Sequence, residues 1–292
     1  MNNIESFSVI CGTAACNADC PFCISKMTGI SALGLKPQPI NWRNFDKACL
    51  IAKEGGVRSV IITGKGEPTL FPDHVTDYLK HLEPYRFPLI DLQTNGVRIA
   101  KYPEKYLPFL KDWYEHGLAF VAISVVSYLA EENRKVYTPH DSDYIDLPKL
   151  IDTIHEVGLS ARFSVTMFDG GVDSPEKADQ MISFAKRLGV EQLTLRKIAK
   201  SDNAENPEIT KWTNNHLLTE TQKGNIEKFL ETKGHHLSTN NKRTKIFDVG
   251  GQNVCLTDAL TLDPTGEDYR QIIFYPNGRV RFDWQFEGSV IL

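Results

Sequence analysis

Past residue 49 the 292-residue sequence holds a single cysteine, Cys255. No second group of thiols is therefore available for a second metal group. Long apolar runs are also missing. The longest, residues 118–126, falls far short of the roughly 20 residues a membrane span needs. The N-terminus shows no basic segment followed by a hydrophobic one, so no secretory signal is visible, and the expected location is the cytoplasm. Charge of one sign is scarce too: 33 basic and 37 acidic residues leave a net −4. That balance creates no global field for nucleic acid and makes bulk nucleic acid an unlikely partner. The eight histidines form no H-E-x-x-H pair, and there is neither a repeat of fixed period nor a low-complexity tract. What remains is an ordinary globular composition, 41% hydrophobic and 24% charged, too rich in apolar residues to be disordered.

The other five cysteines are Cys11, Cys16, Cys20, Cys23 and Cys49. Four of the five fall within the first 23 residues. A disulfide framework suits short secreted chains, which this is not, so clustered thiols point to metal. The sharpest group is Cys16-Asn-Ala-Asp-Cys20-Pro-Phe-Cys23, a C-x3-C-x2-C spacing in a loop after the first strand candidate. A [4Fe–4S] cube normally takes four cysteines, so three local thiolates would leave one iron open. The rival is a zinc site, which wants four ligands and would have to recruit Cys11.

Along the chain, strand-like and helix-like segments alternate six times between residues 7 and 198. Several of the strands read as nearly continuous apolar runs, the signature of a parallel sheet buried on both faces. The fold class is therefore α/β, an open or closed (β/α) barrel. Asn41 is a candidate cap for a helix stopped at Gly55-Gly56. Near residue 200 the pattern changes. Residues 201–210 read as a polar connection, 219–233 as a helix and 233–245 as a polar, basic loop. Pro276-Asn277-Gly278 between two short strand candidates signals a β-hairpin. The expected division is a core, 1–200, and a C-terminal extension, 201–292.

A second motif, Thr63-Gly64-Lys65-Gly66-Glu67-Pro68, follows the second strand candidate. Its two glycines allow a close backbone approach to a ligand. A dinucleotide loop is a poor fit, because Thr69 replaces the third glycine and Glu67 would oppose a phosphate.

Taken together, these motifs resemble the radical S-adenosylmethionine (radical SAM) enzymes. That family has C-x3-C-x-aromatic-C after the first strand, with Phe22 in the aromatic place. Gly64 to Pro68 is similar to its Gly-Gly-Glu-Pro motif with Lys65 inserted. Thr94-Asn95-Gly96 ends the third strand candidate, and Ile123-Ser124 ends the fourth, with Arg134 ten residues further on. The resemblance covers about residues 6–200.

The resemblance implies a partial (β/α)6 TIM-like barrel with a C-terminal extension that contains a helix and a β-hairpin, closes the barrel and shapes the substrate site. It implies that Cys16, Cys20 and Cys23 ligate one [4Fe–4S] cluster, and that S-adenosylmethionine chelates the fourth iron. Gly64 belongs to the cofactor loop. Gly66 by its carbonyl and Glu67 by its side chain would hold the ammonium group. Ser124 would face the ribose, and Arg134 or Arg196 the carboxylate. Phe22 and the backbone at Thr94 and Gly96 would flank the adenine. The implied activity is reductive cleavage of S-adenosylmethionine to a 5′-deoxyadenosyl radical that abstracts hydrogen from a small-molecule or nucleotide substrate. A one-electron donor such as flavodoxin or ferredoxin is the implied partner. A peptide or tRNA substrate is the alternative within the family, and a non-catalytic iron–sulfur or zinc protein the alternative outside it. Lys65 and the run Lys242, Arg243 and Lys245 are candidates to meet a phosphate or carboxylate.

Overall fold

The computed structural model describes residues 3–28, 33, 36–200, 206–239, 244–258 and 269–292. Six parallel strands form its core: β1 (Ser6–Ile10), β2 (Ser59–Thr63), β3 (Leu89–Thr94), β4 (Phe120–Val125), β5 (Ser160–Met167) and β6 (Gln192–Lys197). The helices between them are α1 (Ile24–Met27), α2 (Trp42–Glu54), α3 (Pro72–Leu82), α4 (Val97–Lys101), α5 (Pro103–Glu115), α6 (Ala130–Tyr137), α7 (Leu147–Glu156) and α8 (Pro175–Arg187). Local chemistry fixes several helix starts. The side chains of Asn41, Asp146 and Ser174 accept hydrogen bonds from backbone N–H groups of the first turns of α2, α7 and α8. The unit is the expected partial (β/α)6 barrel.

The C-terminal segment flanks both edges of the six-stranded core. After α9 (Pro207–Asn215) and α10 (Glu220–Lys233) come β7 (His235–Thr239), β8 (Lys245–Val249) and β9 (Gln252–Asp258). Strand β9 pairs parallel with β6, while β8 and β7 continue antiparallel beyond it. On the other side β10 (Ile272–Phe274) pairs parallel with β1 and turns back into β11 (Val280–Arg281). The strand order is β11-β10-β1-β2-β3-β4-β5-β6-β9-β8-β7, and the described strands do not close into a ring.

Three expectations change. The polar stretch 233–245 contains a strand, β7, as well as loop. Its residues are all exposed because it pairs only with β8, which is why its composition reads as loop. Residues 201–205 lie outside the described residues, and helix α9 begins at Pro207, within the expected connection, with Asn206 as its cap. Among the described residues the extension thus holds α9 and the strands β7, β8 and β9 in addition to the expected helix and hairpin. The third change concerns β5 and β6, which alternate, whereas residues 60–62 of β2 and 120–123 of β4 do run apolar. In β5, Ala161, Phe163, Val165 and Met167 are fully buried toward the helices. The intervening Arg162, Ser164 and Thr166 line the interior. Strand β6 repeats this with Leu193 and Leu195 outward and Thr194 and Arg196 inward. These two strands are apolar outside, where helices cover them, and largely polar inside, while Ile61 of β2 and Ala122 of β4 add apolar groups to the interior.

Candidate functional site

The cysteine loop, residues 11–23, leaves the C-terminal end of β1 and is pinned by three neighbouring elements. Glu67 N–H donates to the Ala15 carbonyl at 2.9 Å. The Asn95 side-chain amide donates to Asn17 Oδ1 at 2.8 Å. Asp19 N–H donates to the carbonyl of Tyr137, the last residue of α6, at 2.9 Å. Cys23 then becomes the N-cap of α1. From the C-terminal segment, α9 packs Trp212 against Phe22 and Phe168, with ring centroids 5.8 and 5.3 Å apart.

Phe22 is buried among Tyr137, Phe168 and Ile198. This aromatic wall keeps water from one side of the cysteines. Burial raises the Cys20 thiol, and the neighbouring sulfurs of Cys23 and Cys16 act on it in the same direction; Cys16 stands at the exposed edge of the group. Thiolates are thus held close together where they are costly without a cation. A bound metal group reverses that cost. Among the described residues no group of three or more His, Cys, Asp or Glu side chains is set for a single metal ion; a cube takes each thiolate on a different iron, so its ligands stand farther apart than those of one ion. Cys11, the fourth ligand a zinc site would need, faces the opposite way. It is buried in the outer core, and its Sγ approaches the Phe71 carbonyl at 3.9 Å.

The loop after β2 and the end of β3 form the support under the cysteines. The Glu67 carboxylate accepts four hydrogen bonds. Thr69 N–H, the Thr69 hydroxyl and the Thr94 hydroxyl donate to Oε1 at 3.0, 2.7 and 2.6 Å, and Asn95 N–H donates to Oε2 at 2.9 Å. The group is buried, which pushes its pKa above the usual carboxylate range, while the four donors pull it back down. Thr94 Oγ1 also accepts from Gly96 N–H at 3.0 Å, and Gly96 takes φ +74°, the left-handed conformation that starts α4.

Beside the cysteines lies a cavity of about 510 Å³ that runs into the barrel interior. Its walls include Cys20, Cys23, Phe22, Gly64, Ser124 and Arg196 from the residues singled out in the sequence. Cys16, Gly66, Glu67, Thr94, Gly96 and Arg134 are not in its lining. Glu67 and Thr94 instead hold the loops that border it. Arg134 lies on α6, where its Nε and Nη2 grip the Glu131 carboxylate at 2.8 and 2.9 Å and Nη1 donates to the Asp141 carbonyl at 2.9 Å. Lys65 is buried and donates to Thr28 Oγ1 at 2.8 Å, and Lys245 pairs with Glu227 and Glu231. Lys242 and Arg243 lie outside the described residues. Arg279 is exposed at the hairpin turn and Arg281 is buried; neither reaches the cavity, which Trp284 does.

Sequence reasoning missed Arg162, Arg270 and Cys255 in the lining, Asp91 behind it, and the Asn17–Asn95 tie. The usable signal was the strict alternation of residues 160–167, which marks one polar face.

Comparison with known proteins agrees with this geometry. The family model described as "Radical SAM superfamily" matches residues 10–185. No curated protein matches the sequence. Among solved structures, Streptococcus suis SuiB bound to precursor peptide SuiA aligns with TM-score 0.61 at 15% identity, over 96% of this chain and 59% of that one. Methylornithine synthase aligns with TM-score 0.52 at 12% identity, over 90% of this chain and 74% of that one. The enzyme anSMEcpe with bound AdoMet aligns with TM-score 0.56 at 13% identity, over 99% and 74%. The chain spans about three fifths of the length of SuiB. At these identities the structures share the fold alone. The family model covers more than half of the chain and includes the cysteine loop, the loop after β2 and the ends of β3 and β4, and no helix among the described residues is long and apolar enough to cross a membrane; the chain belongs to the radical SAM superfamily.

Proposed function

We propose that this chain cleaves S-adenosylmethionine reductively and directs the resulting carbon radical onto a small molecule held inside the barrel. The observation that carries the reading is the position of the cysteine loop. Three thiols lie at the C-terminal ends of the strands, where a (β/α) barrel keeps its active site, and two of them border a cavity of ligand size. Cys16, Cys20 and Cys23 fit a [4Fe–4S] cluster with one open iron. When bound and reduced by a one-electron donor such as flavodoxin or ferredoxin, the cluster supplies the electron that breaks a sulfur–carbon bond of S-adenosylmethionine.

The chain's own residues then have defined tasks. Gly66 lets the cysteine loop sit directly on the β2 loop, and its carbonyl is the candidate partner for the ammonium group. Glu67, through Thr69, Thr94 and Asn95, fixes the loops that border the cofactor. Ser124, on the inner face of β4, is the candidate for the ribose hydroxyls. Phe22 and Trp284 exclude water around the reacting carbon. A second reading is a peptide substrate, because SuiB, which shares the fold, is bound to a precursor peptide. The strand-lined cavity, about 510 Å³ and so of small-ligand size, favours the small molecule.

Iron content tests the ligand set. Anaerobic reconstitution is expected to give about four irons per chain. Cys20→Ala should lose the cluster. Cys49→Ala, in the buried face of α2, and Cys255→Ala, on β9, should keep it. Loss of iron in either of the last two as complete as in Cys20→Ala would overturn the assignment. Formation of 5′-deoxyadenosine on reduction separates the enzyme from a binding protein.

A further inference from the structure

A chain of side-chain amides runs from the end of β3 into the cysteine loop, and it ends in a donor without an acceptor. Asn95, the residue after β3, is buried. Its backbone N–H donates to Glu67 Oε2, and its Oδ1 accepts from Val97 N–H at 3.0 Å, at the start of α4. That second contact fixes which way the Asn95 amide faces. The oxygen is taken, so the Nδ2 group is the one that meets Asn17. It donates to Asn17 Oδ1 at 2.8 Å. Asn17 is oriented in turn, because turning its amide round would set one NH2 group against another. Its own Nδ2 is left over. That nitrogen is buried from solvent and has no hydrogen-bond partner among the described residues. A buried donor left unpaired costs about 1–3 kcal/mol, so a native structure that keeps one has a use for it.

The surroundings are those of Cys16. Asn17 follows it in the chain. Cys16 Sγ accepts from Ala18 N–H at 3.4 Å and stands 4.0 Å from Asn95 Nδ2. N–H groups therefore gather at one corner of the cysteine triad. Asp19, the acid of the same loop, does not serve them, since it pairs with Lys26 at 2.8 Å. A [4Fe–4S] cluster held here would bring the missing acceptors, because its thiolate and sulfide sulfurs carry negative charge and take N–H hydrogen bonds.

We propose that the Asn17 and Asn95 amides donate to sulfur at the Cys16 corner of the cluster and so raise the potential at which it takes up an electron. The inference rests on Cys16 being a cluster ligand, as in the functional reading above, and adds to that reading two positioning residues that tune the group. Reduction adds one negative charge to the cluster. A fixed N–H donor stabilises the reduced form more than the oxidised one, so each donor lost makes reduction harder.

The test is a redox titration of the reconstituted full chain without S-adenosylmethionine, followed by the electron paramagnetic resonance signal of the reduced cluster. Asn17→Leu keeps the branched shape of the side chain, removes the amide and adds no charge. Asn17→Asp keeps the oxygen to which Asn95 donates and replaces only the free donor. Both are expected to hold about four irons per chain and to lower the midpoint. The expected fall in Asn17→Leu is about tenfold in the reduction equilibrium, which is about 59 mV for one electron. Asn17→Asp should fall further, because it also adds negative charge. The sign separates this role from a merely structural one. A loosened loop admits more water, and water, itself a donor, raises the midpoint. An unchanged or raised midpoint in either variant, or loss of the iron in either, would overturn the proposal. An unchanged midpoint with weakened binding of S-adenosylmethionine would assign the Asn17 amide to the cofactor instead. A wild-type chain that takes up no iron fails the ligand set itself. A wild type that loads iron but forms no 5′-deoxyadenosine on reduction, with both variants lowered, fails the proposed activity and leaves the tuning role standing.

Discussion

Replacing Gly66 by alanine is expected to unseat the cysteine loop and remove most of the iron that a reconstituted preparation holds. The added Cβ would lie 1.9 Å from the Ala15 carbonyl oxygen and 2.6 Å from its carbon. Both are backbone atoms, so no side chain can rotate away. Either the loop after β2 or the cysteine loop must move, and the hydrogen bond from Glu67 N–H to the Ala15 carbonyl is lost with that shift. Inserting atoms into a packed region costs about 1–3 kcal/mol, and a backbone clash lies at the upper end. Cys16 is one residue from the clash, so its thiol moves with it. Iron per chain and the unfolding midpoint are the measurements. Gly224→Ala is the matched control. Gly224 lies inside helix α10, nothing lies within 4 Å of its added Cβ, and the change should stabilise by about 0.5–1 kcal/mol. Full iron and an unshifted midpoint in the Gly66 variant would mean that the two loops do not touch in solution.

The difference between these glycines marks what was legible in the sequence. Residues 6–198 announce their strands and helices because burial repeats with the period of each element. The spacing of Cys16, Cys20 and Cys23 shows a shared loop because so few residues separate them. Contacts between distant segments carry no such trace. That Gly66 lies under Ala15, or that Glu67 reaches Asn95, depends on β1, β2 and β3 being neighbours in the sheet, a consequence of the whole topology. The same applies to Arg162, which an alternating strand places on the polar face. Only the curvature of the sheet makes that face the wall of a cavity. Arg134, plausible from its offset after β4, is one helix face away from the cavity and pairs with Glu131. Offset along a chain does not fix the direction in which a helical side chain points. Strand β7 was hidden for a different reason: an edge strand with every residue exposed has the composition of a loop.

Glu67→Ala is expected to destabilise the chain before any cofactor is added. The sequence places this carboxylate against the ammonium group of S-adenosylmethionine. In the fold, four donors already occupy its two oxygens. Alanine would leave two buried backbone N–H groups, those of Thr69 and Asn95, without their acceptor, at about 1–3 kcal/mol each. The two threonine hydroxyls can rotate and lose less. Glu67→Gln keeps the shape and one acceptor oxygen but turns an NH2 group toward Asn95 N–H or the threonines, so its loss should be smaller than that of alanine. The acid side of the stability profile adds a sign. Burial holds the native carboxyl above its ordinary range, so the folded state binds its proton more tightly than the unfolded chain does. The stability this contributes is fully present below the ordinary glutamate value and falls away as pH rises through the raised one. Glu67→Gln, which cannot titrate, should lack that decline. Urea unfolding of the cofactor-free chain at several pH values measures both effects. If both variants unfold like the wild type and lose only affinity for S-adenosylmethionine, Glu67 faces the cofactor directly and the four-donor arrangement does not describe the working enzyme.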